Sequence, residues 1–242
     1  MNLNKTKIVA TVGPASASKS MLSKLISSGV DVFRINFSHA SHDDVKRIVK
    51  DIKSLREEHK KHVTVLGDLQ GPKIRIGNVR DGVILKKNDE IVFSTKEIDI
   101  GDQNIVHIGY DLFPKDVKKD EKILVDDGKI ILKVLKTNKT DQDTLLVIQG
   151  GELKSNKGVN LPNTKISLPA LTEKDIVDAK FAIKNSFDWI ALSFVRSKKD
   201  VLMLKDLIQS ETKHSIPVIS KIEKPQAINK LESILKVSDG LM

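Results

Sequence analysis

The sequence predicts an α/β protein, a (β/α)8 TIM barrel that is incomplete in this chain and carries an inserted small all-β barrel lid domain. Two parts of the chain, residues 1–70 and 167–242, alternate short β-branched apolar runs with amphipathic helical patterns. Between them, residues 71–166 show hairpin signals and no strong helical period. Polar and charged residues follow the apolar runs directly.

The first barrel part shows three strand patterns, and a helical pattern follows each of the first two. The predicted strands are residues 7–12, 30–36 and 63–68. The first helix runs over about 19–28, where Gly29 suits its end. The second begins at Ser41, because Ser41 and Asp44 have the spacing of a capping box.

The inserted stretch contains Asp-Gly pairs at Asp81-Gly82 and Asp127-Gly128, each between short apolar runs. Such pairs favour tight hairpin turns. We therefore predict a separate domain of short strands over residues 71–166.

The alternating pattern returns after the insert and is still in progress at the last residue. Helices are predicted over about 171–185, 197–211 and 225–235, and strands at 189–192, 218–221 and near 240. The first of these helices has the spacing of a cap between Thr172 and Asp175. This gives five β-plus-α units and the start of a sixth, whereas a full barrel needs about 250 residues without an insert. We expect the chain to be cut short; an open sheet of five strands is the competing interpretation.

Composition excludes several function classes. The 242 residues include no cysteine, which excludes disulfides and thiolate metal sites, and no apolar run approaches the ~20 residues that span a bilayer. The net charge is +9, but the lysines are dispersed and there is only one Trp and one Tyr. We predict a cytoplasmic protein with no membrane or nucleic-acid partner.

The residues at the strand ends suggest a site. Lys221 and Glu223 flank Ile222, so on an extended strand the two charged side chains share one face. A strand-edge ion pair is the structural alternative. Similar polar residues end the other strands: Arg34, Asn36, Ser38, Asp68, Arg75 and Arg196. By the same alternation, Arg34, Asn36 and Ser38 share one face, and Ile35 and Phe37 pack against helices on the other. Several cations with two carboxylates suit a phosphorylated, metal-complexed substrate.

Other common sites lack their signatures. The chain has no Walker A sequence, no GxGxxG and no recognisable Ser–His–carboxylate arrangement. Lys157-Gly158 could reach a phosphate, but its spacing alone favours a plain polar turn.

Six segments, in order, resemble the pyruvate kinase family across residues 5–242. They are TVGPAS at 11–16, RINFSH at 34–39, DLQGPKIR at 68–75, VDDG at 125–128, KGVNLP at 157–162 and ISKIE at 219–223. The resemblance implies phosphoryl transfer from phosphoenolpyruvate to ADP, giving pyruvate and ATP, as the last step of glycolysis.

The resemblance also implies residue roles. Lys221 would stabilise the transferring phosphoryl group and the enolate oxygen, and Arg34 would bind the substrate phosphate. Phe194 would line the substrate pocket, and Glu223 would bind Mg²⁺ or Mn²⁺. Nucleotide contacts would come from Asn36, His39, Arg75 and Lys157, and a monovalent-cation site from Asn36, Ser38, Asp68 and the Leu69 carbonyl.

Two departures from the family pattern matter. Members that require K⁺ commonly carry Thr and Glu where this chain has Leu69 and Lys73. The ammonium of Lys73 could replace the charge of K⁺, so potassium dependence is doubtful. The second magnesium carboxylate of the family would follow Met242, so we expect this chain alone to be inactive, and marginally stable or aggregation-prone. At full length, the resemblance implies a homotetramer.

Two alternatives remain at this point. One is another Mg²⁺-dependent barrel enzyme acting on phosphoenolpyruvate or pyruvate, which would not need ADP. The other is a non-catalytic basic fragment that binds nucleic acid, which a steep salt dependence of RNA binding would support.

Overall fold

The computed structural model describes residues 5–242 and divides them between two compact units. Unit 1 contains the residues up to Pro72 together with Pro169–Met242, and unit 2 is Lys73–Leu168. Within the described residues, no helix is both long and apolar enough to cross a membrane.

The elements are numbered in chain order. The strands are β1 (Val9–Thr11), β2 (Val32–Asn36), β3 (Thr64–Asp68), β4 (Ile84–Leu85), β5 (Glu90–Ser94), β6 (Ile105–His107), β7 (Lys122–Val125), β8 (Ile130–Thr137), β9 (Gln142–Gln149), β10 (Gly151–Glu152), β11 (Val159–Asn160), β12 (Trp189–Leu192), β13 (Val218–Ser220) and β14 (Gly240–Leu241). The α-helices are α1 (Lys19–Ser27), α2 (His42–His59), α3 (Phe113–Asp116), α4 (Glu173–Lys184), α5 (Lys198–Glu211), α6 (Pro225–Ile228) and α7 (Leu231–Leu235).

Unit 1 is built on a six-stranded parallel sheet in the order β1-β2-β3-β12-β13-β14. Strand β12 pairs with β3 although unit 2 lies between them in the sequence; Ala191 is the register partner of Asp68. The whole of unit 2 is therefore inserted between β3 and β12, two strands that are neighbours in the sheet. The sixth strand also argues against the five-stranded alternative.

Alternation along β2 decides which side chains enter the core of unit 1. Phe33, Ile35 and Phe37 are buried, while Arg34 and Asn36 between them are half-buried. The period of two in the sequence therefore separates the packing face from the polar face. The apolar stripe of α2 covers the core side with Val45, Ile48, Val49, Ile52 and Leu55.

Two of the predicted helix starts are confirmed by their caps. The Ser41 hydroxyl accepts the Asp44 amide at 3.2 Å. At α4, Thr172 and Asp175 form a reciprocal capping box. Each cap satisfies an amide that has no partner within its helix.

Some element predictions were wrong in detail. The helix predicted over 225–235 is two short helices, because Lys230 leaves the helical region at φ −125°, ψ 16°. Strands β8 and β9 are eight residues long, not short. The insert also contains the one-turn helix α3, which is too short to give a periodic signal.

Unit 2 has its own sheet and its own core. Its larger sheet runs β11-β7-β8-β9-β5-β6 and is antiparallel except for the β5–β6 pair. Phe93 and Phe113 lie in its buried cluster with ring centroids 5.9 Å apart.

Candidate active site

The polar side chains of unit 1 meet at the carboxyl ends of four neighbouring parallel strands. Arg34 lies near the end of β2, and Asp68 is the last residue of β3. Ser193 directly follows β12, and Lys221 directly follows β13. Parallel pairing brings these strand ends to one edge of the sheet, which is where α/β proteins commonly bind ligands.

Asp68 is the buried centre of this cluster, with 1% of its surface exposed. Its Oδ2 accepts the Nε of Arg34 at 2.8 Å and lies 2.6 Å from Nη2. The Nη1 of Arg34 donates to the Thr11 hydroxyl at 2.9 Å. Arg34 is therefore held in a fixed orientation at both ends of its guanidinium group.

The Lys221 ammonium makes several contacts in the same cluster. It donates to the Ser193 hydroxyl at 2.9 Å and lies 3.2 and 3.3 Å from the two Asp68 oxygens. The Oε1 of Glu223 is 3.4 Å away. Lys221 and Glu223 thus lie on the same side of the chain, as the alternation with Ile222 predicted.

Glu223 is fixed by the backbone of its neighbouring strand end. Its Oε2 accepts the Phe194 amide at 2.9 Å. Phe194 has φ 54°, a left-handed conformation that is uncommon for a bulky residue. This conformation costs free energy, and it occurs where the Phe194 amide points at the Glu223 carboxylate.

A buried lysine packs beside this pair. The Nζ of Lys224 lies 5.3 Å from the centre of the Phe194 ring, and the residue is 7% exposed. Burial, together with the Arg196 guanidinium, lowers the pKa of Lys224 to about 8, although the Glu223 carboxylate opposes this shift.

The predicted ligands of a monovalent cation come from two adjacent strand ends. Asn36 and Asp68 are register partners in β2 and β3. The Asn36 side-chain oxygen accepts the Ser38 amide at 3.0 Å, and the Leu69 carbonyl accepts the Ser193 hydroxyl at 2.6 Å. Asp68 faces Arg34 and Lys221, so these two cations already balance the negative charge of its carboxylate.

The divalent metal ligands are less complete. Within residues 5–242, no group of three or more His, Cys, Asp or Glu side chains could hold a metal ion. Glu223 offers one oxygen that is not held by a backbone amide, and its side chain is 35% exposed. This donor suits Mg²⁺, which commonly takes one or two protein carboxylates and completes its shell with phosphate oxygens and water.

A cavity of about 480 Å³ lies beside the cluster in unit 1. Its lining includes Asn36 and His39, two of the predicted nucleotide contacts, and also Pro14 and Asp44. The lining combines apolar and polar groups, as small-molecule sites usually do.

The other two predicted nucleotide contacts belong to unit 2 and lie close together there. Arg75 pairs through its backbone with Gly158, next to Lys157, and its Nη1 donates to the Asn156 carbonyl at 2.7 Å. The Lys157 ammonium lies 2.9 Å from Oδ1 of Asp126.

Asp126 also accepts from Lys129 at 2.9 Å. Hydrogen bonds from Lys129 and Lys157 lower the pKa of Asp126. Asp126 itself has φ 51°, so the backbone turns sharply where it presents this carboxylate.

Sequence reasoning gave no role to three groups that the structure ties to predicted site residues. They are the hydroxyls of Thr11 and Ser193 and the carboxylate of Asp126. The sequence signal for Thr11 and Ser193 is their position at a strand end. Thr11 ends β1 and Ser193 directly follows β12, and the site residue Asp68 likewise ends β3.

Comparisons with known proteins identify the family of this chain. A family model described as the barrel domain of pyruvate kinase matches residues 3–242. The pyruvate kinase of Staphylococcus aureus (strain MRSA252) is 42% identical over 242 residues, covering 99% of this chain and 41% of that protein. The pyruvate kinase of Thermotoga maritima is 43% identical over 241 residues, covering 99% of this chain and 51% of that protein.

The chain therefore spans between about two fifths and one half of the length of the curated relatives it matches. Because the family model covers nearly every residue, the assignment does not depend on one motif. The chain belongs to the pyruvate kinase family.

Proposed function

We propose that this chain contributes to Mg²⁺-dependent phosphoryl transfer from phosphoenolpyruvate to ADP, giving pyruvate and ATP. In this reaction the bond between phosphorus and the enol oxygen breaks, and a bond forms to a β-phosphate oxygen of ADP. The enolate that remains takes a proton at carbon. The observation that carries the proposal is the cluster of Arg34 and Lys221 around Asp68, beside the Glu223 carboxylate.

Arg34 is suited to bind the phosphoryl group. A guanidinium group has five N–H donors. Three of them point to Asp68 and Thr11, which leaves two for an anion. Asp68 and Thr11 would fix the direction of those two donors before the substrate arrives, which is the preorganisation that phosphoryl transfer needs.

Lys221 is suited to neutralise the negative charge that shifts during transfer. Its ammonium has three donors, and the neighbouring acceptors are Ser193, Asp68 and Glu223. The contact to Glu223 is the longest, at 3.4 Å. We infer that a substrate oxygen replaces this contact, while Ser193 and Asp68 keep the ammonium in place.

Glu223 would hold Mg²⁺ through Oε1, while the Phe194 amide keeps its other oxygen in position. When bound, Mg²⁺ would neutralise negative charge on the phosphate oxygens. The Phe194 ring would form the apolar wall of the substrate pocket. In this proposal the Glu223 carboxylate is a metal ligand, and no residue of the chain is needed as a covalent nucleophile.

Nucleotide binding would use both units. Asn36 and His39 line the cavity of unit 1, and Arg75 and Lys157 supply positive charge in unit 2. We propose that the inserted domain, predicted over residues 71–166, acts as a lid that brings Lys157 to the nucleotide phosphates.

We further propose that Asn36, Ser38, Asp68 and the Leu69 carbonyl surround a monovalent-cation position that K⁺ does not need to fill. The Lys73 ammonium would supply positive charge in place of K⁺, since K⁺-requiring members carry glutamate at this position. Assembly as a homotetramer stays a prediction.

The test is an assay of the full-length protein for pyruvate formation from phosphoenolpyruvate with Mg²⁺, with and without ADP. We expect pyruvate formation that requires ADP and yields one ATP per pyruvate. Release of pyruvate without ADP would instead favour another Mg²⁺-dependent barrel enzyme. No pyruvate under either condition would overturn the proposal.

A further inference from the structure

Ser193 is a buried hydroxyl in the middle of the candidate site, with 2% of its surface exposed. It directly follows β12, and its neighbours come from two other strand ends. Its Oγ lies 2.6 Å from the Leu69 carbonyl, 2.9 Å from the Lys221 ammonium and 3.5 Å from Oδ1 of Asp68.

Proton counting assigns the direction of each bond. A serine hydroxyl has one proton to donate and two lone pairs to accept with. The Leu69 carbonyl can only accept, and the ammonium of Lys221 can only donate. The proton of Ser193 therefore goes to Leu69, at the shortest distance, and a lone pair accepts from Lys221. The longer Asp68 contact then has no proton left.

These two bonds connect parts of the site that are far apart in the sequence. Leu69 lies in the loop after β3, and its amide donates to the Ala191 carbonyl at 3.0 Å. Lys221 follows β13, and its amide donates to the Leu192 carbonyl at 3.0 Å. Ser193 lies between them, so its hydroxyl is the side-chain link between the ammonium and the Leu69 carbonyl.

We propose that Ser193 is a positioning residue that fixes the Lys221 ammonium and the Leu69 carbonyl in one geometry. It acts through these two groups and does not touch the reacting atoms. The contact of the Lys221 ammonium with Ser193, at 2.9 Å, is shorter than its contacts with the two Asp68 oxygens, at 3.2 and 3.3 Å, and with Glu223, at 3.4 Å. Asp68 alone can hold the ammonium at several angles because both of its oxygens are at similar distances. The inference rests on the proposed function, since it concerns the same lysine.

The test compares Ser193→Ala with a matched control, Ser220→Ala, in the full-length protein. Ser220 is also fully buried at a strand end, but its hydroxyl faces Ser238 at 2.7 Å and makes no contact with the cluster. We expect Ser193→Ala to lower kcat by roughly 10–100-fold, the range typical of partners that orient a functional group. KM for both substrates should change little, and Ser220→Ala should keep the wild-type kcat.

One further variant and one further measurement separate positioning from folding. Ser193→Cys keeps a weak donor and acceptor of similar size, so its kcat should lie between those of wild type and Ser193→Ala. Circular dichroism should show the same folded fraction for the wild type and all three variants. Wild-type kcat in folded Ser193→Ala would overturn the inference, as would an equal loss in Ser220→Ala.

A crystal structure of the Ser193→Ala protein tests the inference without any assay. We expect the Lys221 ammonium to leave its present position between Asp68 and residue 193, and the Leu69 carbonyl to rotate. An unmoved ammonium and carbonyl would overturn the positioning role. If the wild type makes no pyruvate, the proposed function fails, but this structural comparison still decides the role of Ser193.

Discussion

The backbone amide of Gly71 donates to Oδ1 of the buried Asp175 at 3.0 Å. The other oxygen of Asp175 accepts the amide and hydroxyl of Thr172, at 3.0 and 2.6 Å. One carboxylate thus caps α4 and also holds the loop that follows β3. That loop begins at Leu69, directly after Asp68, so the residues at the start of α4 hold the backbone next to the candidate site.

Gly71→Ala should destabilise the protein more than an ordinary glycine replacement. Gly71 has φ +69°, and an added Cβ would lie 2.8 Å from the Phe194 ring and 2.9 Å from the Cβ of Ser193. Left-handed strain and overpacking together should cost about 2–4 kcal/mol of unfolding free energy. Urea denaturation measures this loss.

Gly29→Ala is the matched control for that experiment. Gly29 also has positive φ, at +102°, and lies in unit 1, but nothing is within 4 Å of its added Cβ. It should lose only the strain, about 1 kcal/mol. Equal losses in the two variants would show that packing around Gly71 is not the cause.

Lys221→Met should reduce turnover of the full-length protein by ~10²–10³, because one preorganised charge-stabilising donor is lost. Asp68 keeps its ion pair with Arg34, so the folded state should stay nearly as stable. Steady-state pyruvate formation and a thermal melt measure the two effects. Lys236→Met, which removes an exposed ammonium paired with Glu232, is the control and should have wild-type turnover. Retained turnover in Lys221→Met would remove this lysine from the mechanism.

Asp143 should make the stability of unit 2 depend on pH. It is fully buried, and neither carboxylate oxygen has a hydrogen-bond partner among the described residues. Burial raises the pKa of Asp143 to about 6, although Thr137 and Lys139 oppose the shift. The folded state therefore binds a proton more tightly than the unfolded state, so this group's contribution to stability falls as pH rises from about 4 to 6.

Asp143→Asn should therefore raise the melting temperature at pH 7, and the gain over wild type should shrink as pH falls towards 4. Asp141→Asn is a control of opposite sign, since the Lys96 ammonium and the Asn138 side chain lower the pKa of Asp141. That variant should be less stable at pH 7, and its deficit should shrink only in more acid solution. A pH-independent effect of Asp143→Asn would contradict the titration of this group.

We predict that the turnover of the full-length protein depends little on K⁺, because the Lys73 ammonium would replace the positive charge of K⁺. Pyruvate formation measured in K⁺ should match that in tetramethylammonium at equal ionic strength. Lys73→Glu should create activation by K⁺, since a negative charge would then favour a bound cation. Strong K⁺ activation of the wild type would contradict the role of Lys73.

The local parts of the fold and site were predictable because they follow from short-range patterns. Alternation in residues 33–37 gave the buried face of β2, and alternation around Ile222 gave the shared side of Lys221 and Glu223. Thr172 and Asp175 marked the start of α4 through their spacing. Each of these signals lies within five residues of the structure it predicts.

The remaining features depend on contacts between distant residues or on weak local signals. The Ser193 hydroxyl meets a carbonyl 124 positions away, and a neutral hydroxyl stands out in no charge pattern. Asp143 follows two polar residues and looks like part of a turn, although it shares the inward face of β9 with Leu145 and Val147. The break between α6 and α7 arises because Lys230 leaves the helical backbone conformation, and no glycine or proline in the sequence marks this position.

The ion pair between Lys157 and Asp126 gives unit 2 a built-in competitor for anions. Any anion that binds Lys157 must compete with a carboxylate 2.9 Å away, which the Lys129 ammonium also contacts. When chloride takes the place of the Asp126 carboxylate, one single negative charge replaces another, so little binding free energy is gained. A polyphosphate brings several negative charges and more acceptor oxygens. The carboxylate of Asp126 would therefore favour the binding of anions with several charges at Lys157 over the binding of monovalent anions.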